Sequence, residues 1–208
     1  MHKANSPMRV LSKIISILFH PIFVPTIGFL LLYSLSGYKL YFPEDVFWFS
    51  ILIILQFTIL IPLGFVYFLY SRQKINSIEL SELKERPLPL MVNLISYSIN
   101  FLVFKYLHFP DIIINFFFAL VSVSAFSTLV SLKYKLSLHM FAWGSLSGII
   151  LAFALKIGLE LHFLISISII ISAFVASARL WLNEHNYQQI LLAWISSSII
   201  SFLVMTYL

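Results

Sequence analysis

The sequence contains no cysteine, which removes disulfides, thiolate metal sites and thiol catalysis from consideration and leaves the redox compartment open. Charge is scarce as well: 10% of the 208 residues are Asp, Glu, Lys or Arg, against about 25% in an ordinary soluble domain. Low-complexity tracts and repeats of the soluble type are also missing. What is there is apolar. Hydrophobic residues make up 61% of the chain, 21 of them phenylalanine, which leaves little sequence for a separate soluble domain. The expectation is an all-α, polytopic membrane helical bundle, a single membrane-embedded domain over residues 1–208. A net charge of +5 would suit a nucleic-acid binder. The basic residues lie beside apolar runs, however, where they anchor membrane topology, so no nucleic-acid partner is expected.

A hydrocarbon core about 30 Å thick takes roughly 20 helical residues to cross. Seven apolar runs meet that length, near residues 12–36, 46–70, 88–107, 110–131, 137–155, 161–182 and 187–208. The first is too long for a signal-peptide core and lacks a small-residue cleavage pattern, so it is expected to remain as a span. It contains HPIFVPT, whose Pro21 and Pro25 remove backbone donors and predict a kink or break. Seven spans place the termini on opposite sides. The N-terminal side then collects Lys3, Arg9, Lys13, Arg72, Lys74, Lys84, Arg86, Lys133, Lys135 and Arg179, and the other side only Lys39, Lys105 and Lys156. By the positive-inside rule the N-terminal side is cytoplasmic, as in a bacterial inner-membrane protein.

Three stretches on that side carry polar groups suited to phosphate chemistry. In ELSELKERPLPL (79–90), Arg86 and Lys84 stand beside Pro87 at the boundary of the third span. A guanidinium there can hold a phosphate bidentately, and a solvated, internally paired loop is the plainer reading. In KYKLSLHMFAWG (133–144), Ser137 and His139 open the fifth span, where unpaired N–H groups and the helix dipole favour an anion. Gly144 and Gly148 follow as a G-xxx-G pair. They do not frame a nucleophilic serine and predict close helix packing. The third stretch, ARLWLNEHNYQQ (178–189), ends the sixth span with Arg179 and continues through a predicted break at NEHN to His185 and Gln189. That break lets Arg179 and His185 converge, and the four-residue spacing brings Gln189 to His185. His20, just before Pro21, reads as a packed or interfacial histidine.

Together the three stretches resemble the type 2 phosphatidic acid phosphatase superfamily, which includes membrane lipid phosphatases and vanadium haloperoxidases. Its pattern is K-x6-R-P, then P-S-G-H, then S-R-x5-H-x3-D. Arg86-Pro87 matches the end of the first motif, Ser137 and His139 two positions of the second, and Arg179-x5-His185 the core of the third. The resemblance implies a six-helix phosphatase-like core and a metal-independent, cofactor-free enzyme acting on a lipid phosphate or diphosphate. His185 would be the nucleophile and His139 the acid for the leaving alkoxide. Arg86, Arg179, Ser137 and, from a shifted position, Lys84 would hold the phosphate, with Gln189 orienting His185. The sequence departs from the pattern at Glu79, Leu136, Leu138, Ala178 and above all Gln189, which stands where the family has an acid. Glu184 is a candidate to supply the missing charge. These departures motivate the alternative of a catalytically impaired member that binds anionic lipid or serves as a membrane-complex subunit. A small transporter has less behind it, since mid-span ionisable residues are scarce.

Overall fold

The computed structural model describes residues 7–37, 42–158 and 160–208; Lys3 and Lys39 of the charge count lie outside them. Among the described residues all regular structure is helical and there are no strands. Helix α1 runs Pro7–Leu18 and α2 Val24–Leu35, with a 3₁₀ turn at Pro21–Phe23 between them. Helices α3 (Glu44–Leu55) and α4 (Ile61–Ser71) join through a π-turn, Gln56–Leu60. Five uninterrupted helices follow: α5 Pro87–Tyr106, α6 Asp111–Val130, α7 Leu138–Ile157, α8 His162–Trp181 and α9 Tyr187–Tyr207. Counting α1–α2 and α3–α4 as one stretch each, seven helical segments among the described residues are long and apolar enough to cross a membrane. Each overlaps a run read from the sequence.

The breaks have local causes. Pro21 sits in the 3₁₀ turn as the missing donor predicts. Pro25 instead occupies the first turn of α2, where a proline costs nothing because that N–H has no helical partner. Pro62 lies at the same place in α4, and the ladder just before it widens: the Ile61 N–H donates to Gln56 O, five residues back.

Burial runs opposite to that of a soluble helix. On α1 the buried side chains are Ser12 and Ser16, while Ile17 and Leu18 are 67% and 64% exposed. Large apolar side chains face outward on every helix, which requires an apolar surround. Buried hydroxyls are largely satisfied within their own helices, as in Thr58 to Ile54 O, Ser147 to Trp143 O and Ser172 to Ser168 O. The chain is therefore an integral membrane protein built as an all-α bundle.

Contacts divide the chain into two compact units. The first comprises the N-terminal stretch to Pro21 together with 135–208; the second comprises 22–134. In the first, α7 is the centre, with 78% of its span buried. It lies closest to α9 because Gly144 and Gly148 leave no side chain in the way. A Cβ at Gly144 would collide with Ser197 Oγ and Trp194 O, and one at Gly148 with Ser198 O. Small hydroxyl residues of α9 line the seam, with Ser145 and Ser201 hydroxyls 2.7 Å apart and Ser198 donating to Gly144 O at 2.9 Å. The packing role read for the glycine pair holds, and it is the small-residue mode of a bilayer interface. In the second unit α5 and α6 pair through Asn93 to Ser124 (3.3 Å) and Thr128 to Leu90 O (3.4 Å). An aromatic cluster unites α2, α5 and α6, with Phe104 stacked on Phe117 at 4.4 Å and Phe29 beside both.

Candidate functional site

The candidate site lies in the first unit, where α1 ends, α7 begins and α8 turns into α9. Because α1 stops at Leu18, the carbonyls at its end lack the N–H donors a continuing helix would supply. The His20 N–H donates to Ile17 O instead of Ser16 O, and Pro21 has no N–H to offer. Side chains of α7 take up the vacated acceptors: His139 Nε2 donates to Ser16 O at 3.2 Å, and Trp143 Nε1 to Phe19 O at 2.9 Å. A carbonyl only accepts, so His139 carries its proton on Nε2. The His20 ring meets the His139 ring edge-on, centroids 5.3 Å apart.

Ser137 is fully buried as the N-cap of α7, its hydroxyl accepting from the Met140 N–H at 3.5 Å. Its own N–H reaches Gln189 O at 3.4 Å, tying the start of α7 to that of α9.

Helix α8 ends in a Schellman motif, the physical form of the predicted NEHN break. Asn183 takes a left-handed conformation at φ 57°, its N–H bonding Leu180 O and the Glu184 N–H bonding Arg179 O. Asparagine tolerates that region better than a branched residue does. Asn183→Val is accordingly expected to lower stability by about 1–2 kcal/mol in thermal unfolding, while Asn183→Gly holds or slightly raises it; equal melting for the two variants would contradict this account.

The turn delivers His185 just ahead of α9, whose N-cap is Asn186. Asn186 and Gln189 form a capping box: the Gln189 N–H donates to Asn186 Oδ1 at 2.9 Å and the Asn186 N–H to Gln189 Oε1 at 3.2 Å. A backbone N–H can only donate, so the amide oxygen, not its nitrogen, faces this side. The same oxygen lies 3.0 Å from His185 Nδ1. His185 therefore holds its proton on Nδ1 and its lone pair on Nε2. Gln189 thus selects the tautomer a carboxylate would select, without the charge.

Arg179 and His185 are both buried, 6% and 8% exposed. Arg179 and His185 lie within coulombic reach of His139, and Arg179 within reach of His20. Glu184, the neighbour of His185 in sequence, sends its carboxylate to within 3.8 Å of Arg179 Nη2 and 4.0 Å of Lys135 Nζ. The site so defined holds two fixed cations, Arg179 and Lys135, against the one carboxylate of Glu184, with three imidazoles beside them, a balance that favours an anion.

His139, Arg179, His185, Gln189 and Ser137 are thus brought together. Arg86 and Lys84 belong to the second unit. Arg86 is buried, its Nε donating to Leu80 O at 3.0 Å, and Lys84 is exposed. His20 and Lys135 were not singled out for the site from the sequence. The signal for His20 was the helix-breaking proline after it, which turns an apparent mid-span histidine into one at a helix end. No three His, Asp or Glu side chains among the described residues group as a metal site.

Fold and site together define a polytopic helical membrane protein with an anion-favouring histidine and arginine cluster at one end of a helical unit. Compared with family models, curated proteins and solved structures, the chain gives no match.

Proposed function

We propose that the protein hydrolyses a lipid phosphate or diphosphate through a phosphohistidine on His185. The observation that carries this reading is the bond from His185 Nδ1 to Gln189 Oε1, which puts the imidazole lone pair on Nε2, the atom a phosphorus-attacking nucleophile needs. In the proposed sequence Nε2 bonds to phosphorus as the lipid alkoxide leaves. His139, protonated on both ring nitrogens for this step, gives that alkoxide its Nε2 proton, now directed at Ser16 O, and is left as neutral imidazole. Water then attacks the phosphohistidine, returning a proton to His139 and releasing inorganic phosphate. Arg179 stabilises the oxygens on which charge builds. Arg86, Lys84 and the Ser137 hydroxyl enter the scheme on their sequence motifs alone. The test is phosphate release by purified protein from a panel of phosphatidate, phosphatidylglycerol phosphate and polyprenyl diphosphate, with Arg179→Ala as control. Release that persists undiminished in this variant rejects the assignment.

A second reading is favoured by Gln189 itself: an uncharged residue already engaged in a capping box serves a lipid-binding or complex-forming relic as well as it serves an enzyme. Gln189→Glu is isosteric and preserves both bonds to the side-chain oxygen. A hydrogen bond to a charged partner exceeds a neutral one by about 1–1.5 kcal/mol, so turnover by an enzyme is expected to rise roughly 5–10-fold. An inactive wild type that stays inactive in this variant, while still binding anionic lipid, supports the relic.

We further propose a bacterial inner membrane with the N-terminal side and the site facing the cytoplasm, on the strength of the cation asymmetry. The chain has no native cysteine, so single cysteines introduced into loop 72–86 report cleanly. Labelling by an impermeant reagent in intact cells would overturn this orientation.

A further inference from the structure

The second unit carries a groove that shares only Lys84 with the phosphatase reading. It has a volume of about 540 Å³ and is lined by Phe68 and Leu69 of α4, Arg72, Lys74 and Ile75 of the turn after it, Lys84 and Glu85 of the 3₁₀ turn before α5, and Leu88 of α5. Its place follows from the topology: α4 ends one apolar span at Ser71 and α5 opens the next at Pro87, so the groove lies where two spans leave the apolar layer.

The loop that shapes it is built, not slack. Helix α4 closes with Gln73 in the left-handed region, the Gln73 N–H on Tyr70 O and the Lys74 N–H on Leu69 O. That turn folds Ile75 back onto Leu69 and Leu80 in a small buried cluster. The Asn76 N–H donates to Glu85 Oε1 at 2.5 Å, and Arg86 secures Leu80 O. Glu85, the groove's one acid, thereby spends a carboxylate oxygen on the backbone.

What remains is two-sided. Arg72, Lys74 and Lys84 are exposed on the polar side, with the Arg72 guanidinium 5.6 Å over the Phe68 ring. Phe68 and Leu88 keep 50% and 52% of their surfaces open on the apolar side. Three cations against one partly engaged acid complement a phosphate, and the open Phe68 and Leu88 complement an acyl chain running back along the spans. A soluble phosphate would leave the apolar wall uncovered, and a neutral lipid would leave the cations unmatched.

We propose that this groove binds the headgroup of an anionic phosphodiester lipid, of the phosphatidylglycerol kind, from the surrounding leaflet. The bound lipid is a resident, not a substrate, because a phosphodiester lacks the terminal phosphate that His185 chemistry requires. The occupancy is thus independent of the proposed hydrolysis. It also gives Lys84 a use distinct from substrate binding.

The test is native mass spectrometry of protein exchanged into matched-chain phosphatidylglycerol or phosphatidylcholine. Wild type is expected to retain phosphatidylglycerol over phosphatidylcholine, and Arg72→Gln/Lys74→Gln/Lys84→Gln to bring the two near parity, at about fivefold per cation removed. His185→Ala is expected to leave the preference unchanged. Equal preference in wild type and triple variant overturns the proposal, as does a preference abolished by His185→Ala alone, which would put the lipid at the histidine cluster. Should the triple variant fail to fold, Lys74→Gln alone, at an exposed side chain, is expected to lower the preference about fivefold; no change there also overturns it.

Discussion

Replacing His185 with alanine is expected to reduce phosphate release from the preferred lipid to background, a loss on the order of 10⁴–10⁶-fold, the range seen when a covalent nucleophile is removed. The magnitude follows from the role. Without the imidazole no phosphoenzyme forms, and what is left is positioning and charge stabilisation by Arg179, which is itself expected to contribute about 10²–10³-fold. The two variants differ in a second readout. Wild type and Arg179→Ala, given labelled lipid phosphate and quenched in alkali, are expected to carry covalent label on the protein, less in the variant; His185→Ala is expected to carry none. Label of equal intensity on His185→Ala would falsify the phosphohistidine scheme, whatever the overall rate. The start of α9 does not depend on the His185 side chain. His185 precedes α9, and the capping box that starts that helix is made by Asn186 and Gln189 without it.

Gly148→Leu is expected to be the most damaging single change to the fold. A side chain at this position meets the backbone of Ser198, carbonyl included, not the flexible end of a neighbouring side chain. Backbone on a packed helix cannot step aside, so α7 and α9 must separate along the seam. Overpacking of this kind costs about 1–3 kcal/mol even where side chains can adjust, and here the loss is expected to exceed 3 kcal/mol. Separation also removes the Ser145–Ser201 and Ser198–Gly144 bonds. Detergent-solubilised Gly148→Leu is expected to aggregate in size-exclusion chromatography or melt many degrees early. Gly64→Leu is the matched control: nothing lies within 4 Å of a Cβ there, and no change is expected. Equal melting of the two variants would remove the seam from the account.

The spans were legible in the chain because a lipid-facing helix need not be amphipathic. It needs only length and apolarity, and both are one-dimensional properties. The glycine pair was legible for a related reason: a missing side chain every fourth residue marks a close approach whichever helix supplies the partner. The break at NEHN could be read from local turn chemistry, since the left-handed Asn183 and the Asn186 cap act within a few residues of themselves.

Partners of charged and titratable side chains were not legible in this way. Glu184, next to His185 in sequence, reaches Arg179 and Lys135, because the Schellman turn carries adjacent residues in different directions. Gln189, which by motif stands in for an acid, proves also to be half of a capping box, a role its spacing from Asn186 allowed. Arg86 turned inward to Leu80 O while Lys84, two residues earlier, opened into the groove.

The sequence by itself determined a helical membrane protein, its seven apolar stretches and the small-residue contact on α7, since hydropathy and side-chain size act locally. Tertiary structure alone decided that His20 joins His139, because the carbonyl left open at Ser16 by the end of α1 takes its partner from a helix more than a hundred residues away. It also decided the tautomer of His185, because one amide oxygen is held at once by a helix-start N–H and an imidazole.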